Sequence, residues 1–218
     1  MKLSQLKIDP EFQSKIPPLQ FEEEQQLEQN IIAEGRLLNP IITWNGYILD
    51  GHTRYRILKK HGFIKFEVEE IQLANKYEAL AWICKNQLGR RNLSPERQKF
   101  LLGKEYESTK LAVGGQPGNC NKVNRCDQND HIDSEKRTCE RIAVEHGVGS
   151  ATVRRAEKYS RGIDAADEAV PGAQEEILTG HIKATDEQIV ALASIPKEER
   201  PAILEELKKK KSDRDDTV

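Results

Sequence analysis

Apolar positions along the chain switch between two periods, and each switch marks a change of element. Ile41, Ile42, Trp44, Tyr47, Ile48 and Leu49 are strand formers placed on either side of Asn45-Gly46, the dipeptide that favours a two-residue hairpin turn. After Gly51 the spacing becomes helical, with Tyr55, Ile57, Leu58 and His61 on one face and Gly62 as the expected C-cap. Upstream, Leu3, Leu6 and Ile8 predict a leading strand and an extended stretch as far as the stiff Pro17-Pro18 pair. Phe21 to Glu34 predicts an amphipathic helix that turns Leu27, Ile31 and Ile32 inward and stops at Gly35. Its first turn carries Glu22-Glu23-Glu24, where the helix dipole favours acid. Residues 63–73 predict a strand burying Phe66, Val68, Ile71 and Leu73, and residues 76–88 a helix burying Leu80, Ile83, Cys84 and Leu88. Together these elements form a small α+β domain over residues 1–93.

The rest of the chain is helical in period. Ser94-Pro95-Glu96 is a helix start, with serine as N-cap, proline at the first helical position and acid in the first turn. That helix runs through Phe100, Leu101 and Tyr106 to about Leu111. Residues 113–136 are rich in Gly, Asn and Asp. They read as a plain linker or a flexible insertion, spanning about 112–137, whose Lys122 and Arg125 could touch phosphates. Residues 138–160 then read as helix, tight turn, helix: Ile142 and Ala143 face inward, Gly147 permits the turn, Val148 fills the core beneath it, Ser150 caps the second helix and Val153 returns to the core. In a helix-turn-helix the second helix lies in the major groove, which makes Ser150, Ala151, Thr152, Arg154, Arg155 and Lys158 the candidate DNA-binding residues. The alternative is an αα-hairpin with no DNA. This second domain is expected over residues 94–165, followed by a helical segment over 166–218. In that segment Thr185 and Gln188 make a capping box ahead of Ile189, Leu192 and Ile195. The closing charge block, Lys208 to Lys211 and then Asp213 to Asp216, reads as a solvated end, and no heptads extend far enough for a coiled coil.

Composition narrows the functional classes. With 37% hydrophobic and 32% charged residues among 218, the core is thin and the domains are small. The net charge of −2 gives no overall basic excess, so any nucleic-acid surface has to be local. No apolar run reaches transmembrane length and the N-terminus lacks a signal-peptide core, so a cytoplasmic, DNA-associated protein with no membrane partner is expected. Cys84, Cys120, Cys126 and Cys139 are expected as free thiols. Cys120, Cys126, His131 and Cys139 share one stretch without the short gaps of a zinc knuckle, so no structural metal is expected.

The most chemically suggestive stretch is residues 50–62. A strand, a glycine turn and a helix N-terminus carrying His52, Thr53, Arg54 and Arg56 form an anion site in principle. Glycine lets the backbone approach, the free amides favour negative charge, and arginine adds a fork of donors. The bland alternative is an ordinary βα turn with solvated arginines. Gly51-His52-Thr53-Arg54-Tyr55-Arg56-Ile57 resembles the phosphate-binding box of the ParB/Spo0J superfamily, GERRYRA. Asn86-Gln87-Leu88-Gly89-Arg90-Arg91-Asn92-Leu93-Ser94-Pro95 resembles a second box, ENxQRxxLxP. The segment from Leu27 through Gly35 to Leu38-Asn39-Pro40-Ile41 resembles the stretch that precedes the first box in that superfamily, and Val170 to Ile182 the segment after the helix-turn-helix in its phage and plasmid members.

The resemblance implies an α+β ParB-like domain, then an all-α helix-turn-helix domain and C-terminal helices. It implies CTP, or another nucleoside triphosphate, with Mg on Gly51, His52, Thr53, Arg54, Arg56, Asn86 and Arg90, and a weak CTPase-like activity that switches a clamp. Double-stranded DNA is the implied partner, with self-association as a dimer and a role in chromosome or plasmid partition or in regulation of transcription or replication. His52 stands where the box has Glu and Thr53 where it has the first Arg, departures that bear on hydrolysis and base selectivity. The Asp-Gly-His-x-Arg form is also similar to the related fold of sulfiredoxin and free serine kinases. The loop lacks the cysteine of a sulfiredoxin, and a kinase would use Asp50 as its base. A metal-dependent nuclease needs more oxygen ligands than Asp50 and His52 supply.

Overall fold

The computed structural model describes residues 2–90, 92–113 and 138–215, with side chains in the last helix through Lys208. Most of the expected insertion, with Cys120, Lys122, Arg125, Cys126 and His131, lies outside the described residues, as does Arg91. The chain divides into two compact units, Met1–Gln87 and Leu88–Val218. No helix among the described residues is long and apolar enough to cross a membrane.

The first unit is α+β. Strands β1 (Ile41–Trp44) and β2 (Tyr47–Asp50) form the predicted hairpin, and its turn residues Asn45 and Gly46 both take left-handed φ values, 49° and 77°. The strand β3 (Val68–Glu70) joins β1 in parallel, giving the order β2-β1-β3. It is shorter than the 63–73 strand the sequence predicts, and Phe66, Ile71 and Leu73 pack against the core from outside it. Because successive strand residues face opposite ways, Ile48 and Leu49, each 0% exposed, enter different cores. Ile48 joins Ile31 of α2 (Phe21–Glu34) and Ile57 and Leu58 of α3 (His52–Lys60). Leu49 joins Phe12 of α1 (Pro10–Ser14) and Leu80 and Ile83 of α4 (Lys76–Leu88). The sheet thus carries helices on both faces.

Three local expectations are corrected here. The leading strand is a 3-10 turn at Leu3–Gln5, a single bridge from Lys7 to Tyr47, and then α1, started by the Asp9 carboxylate on Glu11 N with Pro10 at its first position. Ile32 is exposed rather than inward. The C-cap of α3 is His61, not Gly62, and His61 turns sideways to Glu28, 2.6 Å away.

The second unit is all-α: α5 (Pro95–Ala112), α6 (residues 138–145), α7 (Ser150–Ala169), α8 (Ala173–Leu178), α9 (Asp186–Leu192) and α10 (Arg200–Asp215). α5 begins as predicted, with Ser94 Oγ accepting from Arg97 N at 3.3 Å. Its packing partner is α7, and α7 also meets α8, α9 and α10, so the helices after residue 166 belong to this same unit. Two glycines make these crossings. A Cβ at Gly103 would overlap the Ala156 carbonyl, and one at Gly162 would overlap the Ile189 carbonyl. Gly162 lies inside an unbroken twenty-residue α7. Two details of the turn also differ: Val148 is 36% exposed rather than buried, and the N-cap of α7 is Gly149, with Ser150 as its first residue.

Overpacking at either crossing predicts that Gly103→Ala or Gly162→Ala loses ~1–3 kcal/mol or more in urea denaturation of the full chain. Gly62→Ala, where a Cβ meets open space, serves as the control and stays within about 0.5 kcal/mol. Equal stabilities in all three variants would contradict the close-packed crossings.

Candidate functional site

Two places combine exposure with unusual chemistry, one in each unit. In the first unit, Gly51 adopts φ 98° as the N-cap of α3, so the chain leaves β2 and enters the helix with no side chain capping its first amides. Arg54, one turn on, is not a free cation. Its Nη1 donates to the carbonyls of Asn39 and Pro40 at 2.9 and 2.8 Å, and its Nη2 donates to the Asp50 carboxylate. One guanidinium thereby ties the approach to β1 to the end of β2 and the start of α3. A Cβ at Gly51 would press on that guanidinium at 3.2 Å, so glycine is required both by φ and by Arg54. Arg56 is exposed, bonded to Glu24 of α2 at 3.0 Å, and 3.5 Å from the Thr53 hydroxyl. A surface pair of that kind contributes only ~0–1 kcal/mol, so Arg56 can exchange Glu24 for another anion at small cost.

His52 is 6% exposed, and neither ring nitrogen has a hydrogen-bond partner. Burial pushes its pKa down to about 4; the nearby Asp50 charge opposes this and Arg56 adds to it. The imidazole is therefore neutral near pH 7, offering one donor and one acceptor rather than a positive charge. Gln87, 0% exposed, likewise has unpartnered amide nitrogen and oxygen. An unmet buried polar group costs about 1–3 kcal/mol, so these two side chains mark where polar ligand atoms would be welcome. Asn86 is exposed at the end of α4, and Arg90 is exposed in the second unit. Gly51, His52, Thr53, Arg54 and Arg56 lie together at the N-cap and first turns of α3. Gln87 was not singled out from the sequence, and Asp50 is Arg54's partner rather than a free base.

In the second unit, helical spacing sends Val153, Ala156, Tyr159 and Ile163 of α7 into the core. Ala151, Thr152, Arg154, Arg155 and Lys158 are all exposed on the other side, and Ser150 is half-buried at the helix start. Elsewhere in this unit cations meet carboxylates: Lys99 with Asp186 at 2.5 Å, Lys104 with Asp164 at 2.5 Å, Lys110 with Glu157 at 3.3 Å, and Arg161 with Glu157 at 2.8 Å. Among the described residues no carboxylate pairs with Arg154, Arg155 or Lys158, nor with the exposed Arg141 of α6, which the sequence reading did not select.

Two tests follow. Arg54→Ala is expected to destabilise the first unit, because it removes the guanidinium that ties the Asn39 and Pro40 carbonyls to the Asp50 carboxylate, whereas Arg56→Ala is expected to be near neutral in the same urea titration. Equal effects would remove Arg54's clamping role. For His52, the pKa falls from 6.5 to about 4 on folding, so the unfolded chain takes up its proton first as pH drops. Its stability contribution is intact above about 6.5 and declines toward pH 4, by ~1.4 kcal/mol per pH unit at most. His52→Gln is expected to flatten that slope, and superimposable pH profiles would contradict a buried neutral imidazole.

The structure is similar to a solved Pnob8-like ParB-N domain, with a TM-score of 0.50, 14% identity and 95% of each chain covered. It also aligns with the C-terminally truncated chromosome-partitioning protein ParB from Caulobacter crescentus, solved in complex with the centromeric parS site, with a TM-score of 0.40, 16% identity and 94% of each chain covered. No family model matches the sequence, and no curated protein matches it. At these identities the likeness to the Pnob8-like domain is one of fold.

Proposed function

For a chain with this ParB-like fold, we propose a DNA-binding module of a partition or regulatory system, in which α6, the Gly147 turn and α7 act as a helix-turn-helix. The observation that carries this reading is the row of exposed, unpaired cations Arg154, Arg155 and Lys158 on one face of α7. A net charge of −2 makes such a local cationic face informative, because several other described cations of the unit, among them Lys99, Lys104, Lys110 and Arg161, are paired with its own acids. Arginine reads guanine with two parallel bonds, Thr152 can meet a base edge or a thymine methyl, and Lys158 suits a phosphate. Arg141, on the preceding helix, suits the flanking backbone.

The first unit adds an anion or nucleotide site at the N-terminus of α3. The uncapped amides after Gly51, the Thr53 hydroxyl, the exchangeable Arg56 and the spare hydrogen-bonding capacity of His52 support it. Arg54 would act there by shaping the turn. A triphosphate such as CTP with Mg is the ligand of this reading. A kinase-like or nuclease-like reading is less well supported, since Asp50 is committed to Arg54.

In binding assays on duplex DNA at fixed salt, Arg154→Ala and Arg155→Ala are expected to weaken affinity by about 10- to 100-fold where the arginine reads a base, the equivalent of ~1–3 kcal/mol. Lys158→Ala is expected to lower affinity evenly across sequences and to reduce the salt slope by about one. Unchanged affinity in all three variants would overturn the assignment. CTP beside ATP and GTP, each with Mg, tests the first unit separately.

A further inference from the structure

The second unit holds a donor set that the DNA-binding reading does not use. Glu105 of α5, Glu145 at the end of α6 and His146 just beyond it each offer a ligand atom, and the three atoms lie within 4.8 Å of one another. His146 Nε2 is 2.7 Å from Glu105 Oε2. We propose that these three residues bind a first-row divalent cation of the Zn2+ class, which pins α5 to the turn that launches α7.

The chemistry of the donors sets the class of ion. One imidazole nitrogen with two carboxylates suits Zn2+ and its first-row neighbours, whereas Mg2+ and Ca2+ take oxygen sets. Three protein ligands leave one tetrahedral position for water. Two carboxylates with a neutral imidazole carry a charge of −2, which a divalent ion cancels. The Glu105 residue is 3% exposed, and a neutralised cluster is the cheaper one to keep beside an apolar core. Leu102 and Tyr106, on the same helix as Glu105, belong to one apolar core with Cys139, Ile142 and Ala143 of α6. The backbone that carries two of the ligands is also held in place. Thr109 Oγ1 donates to the Glu105 carbonyl at 2.7 Å, and His146 N donates to the Ile142 carbonyl at 3.0 Å.

A plain ion pair between His146 and Glu105 explains their contact, whereas a metal site also uses the Glu145 oxygen that lies within 4.8 Å of both. Glu145 is exposed, so Glu145→Gln removes a metal ligand while leaving the His146–Glu105 pair in place. The experiment is Zn2+ titration of the full chain by calorimetry and thermal melting, with Co2+ as a spectroscopic substitute. One saturable ion per chain is expected, with a raised melting temperature reversed by chelator and a Co2+ spectrum without a thiolate charge-transfer band. Glu145→Gln should weaken binding by ~10-fold or more, with its metal-free melting temperature unchanged, and His146→Ala should abolish it. Absence of saturable binding, unchanged affinity in Glu145→Gln, or a thiolate band pointing to the cysteines would each overturn the proposal.

Discussion

The close crossing of α5 and α7 is the constraint on which the second unit depends. Gly103 brings the α5 backbone against the Ala156 carbonyl, and no residue with a Cβ allows the two helices so near. That contact fixes the rotation of α7 about its own axis, and rotation decides what each side chain does. Lys104 sits in the crossing between Asp164 and Glu107; burial opposes its charge, but the two carboxylates prevail and raise its pKa. Glu157 takes Lys110 and Arg161 in the same way. The inner side of the crossing thus consumes its cations internally. On the outward side of α7, Arg154, Arg155 and Lys158 face solvent with no carboxylate partner among the described residues, so the exposed cationic face is a direct consequence of helix packing.

The first unit poses a different problem, a conflict between scaffold and ligand at one residue. Arg54 is the arginine that a phosphate box would be expected to offer, yet all its observed bonds are to the protein's own Asn39, Pro40 and Asp50. Those bonds create the turn that exposes the α3 amides. The groups left to meet an anion are the amides themselves, Thr53 and Arg56, with His52 as a neutral donor. An anion placed there would meet the helix dipole and the Glu24-bonded Arg56 rather than a cluster of fixed cations.

Local signals made the element order legible. Asn45-Gly46 specifies the hairpin, Gly35 ends α2, and Ser94-Pro95 starts α5, because each acts on neighbours a few residues away. The outward face of α7 was legible from 3.6-residue spacing alone. What failed depends on distant partners. Gly162 gave no local sign that it makes room for Ile189. Arg54's carbonyl partners, 14 and 15 residues away, left no local sign, and neither did the pairing of His146 with Glu105, 41 residues distant. The α1 helix had its local signal in Asp9-Pro10, yet the alternating Leu6 and Ile8 favoured an extended reading.

The central claim is that the outward face of α7 contacts duplex DNA. The most direct measurement is an amide and side-chain NMR titration of the full chain with a short duplex. The account predicts that the largest shifts fall on residues 150–158 and on Arg141, with the buried residues of the α5–α7 crossing little changed. Shifts spread over another surface, with residues 150–158 unmoved at saturation, would contradict it.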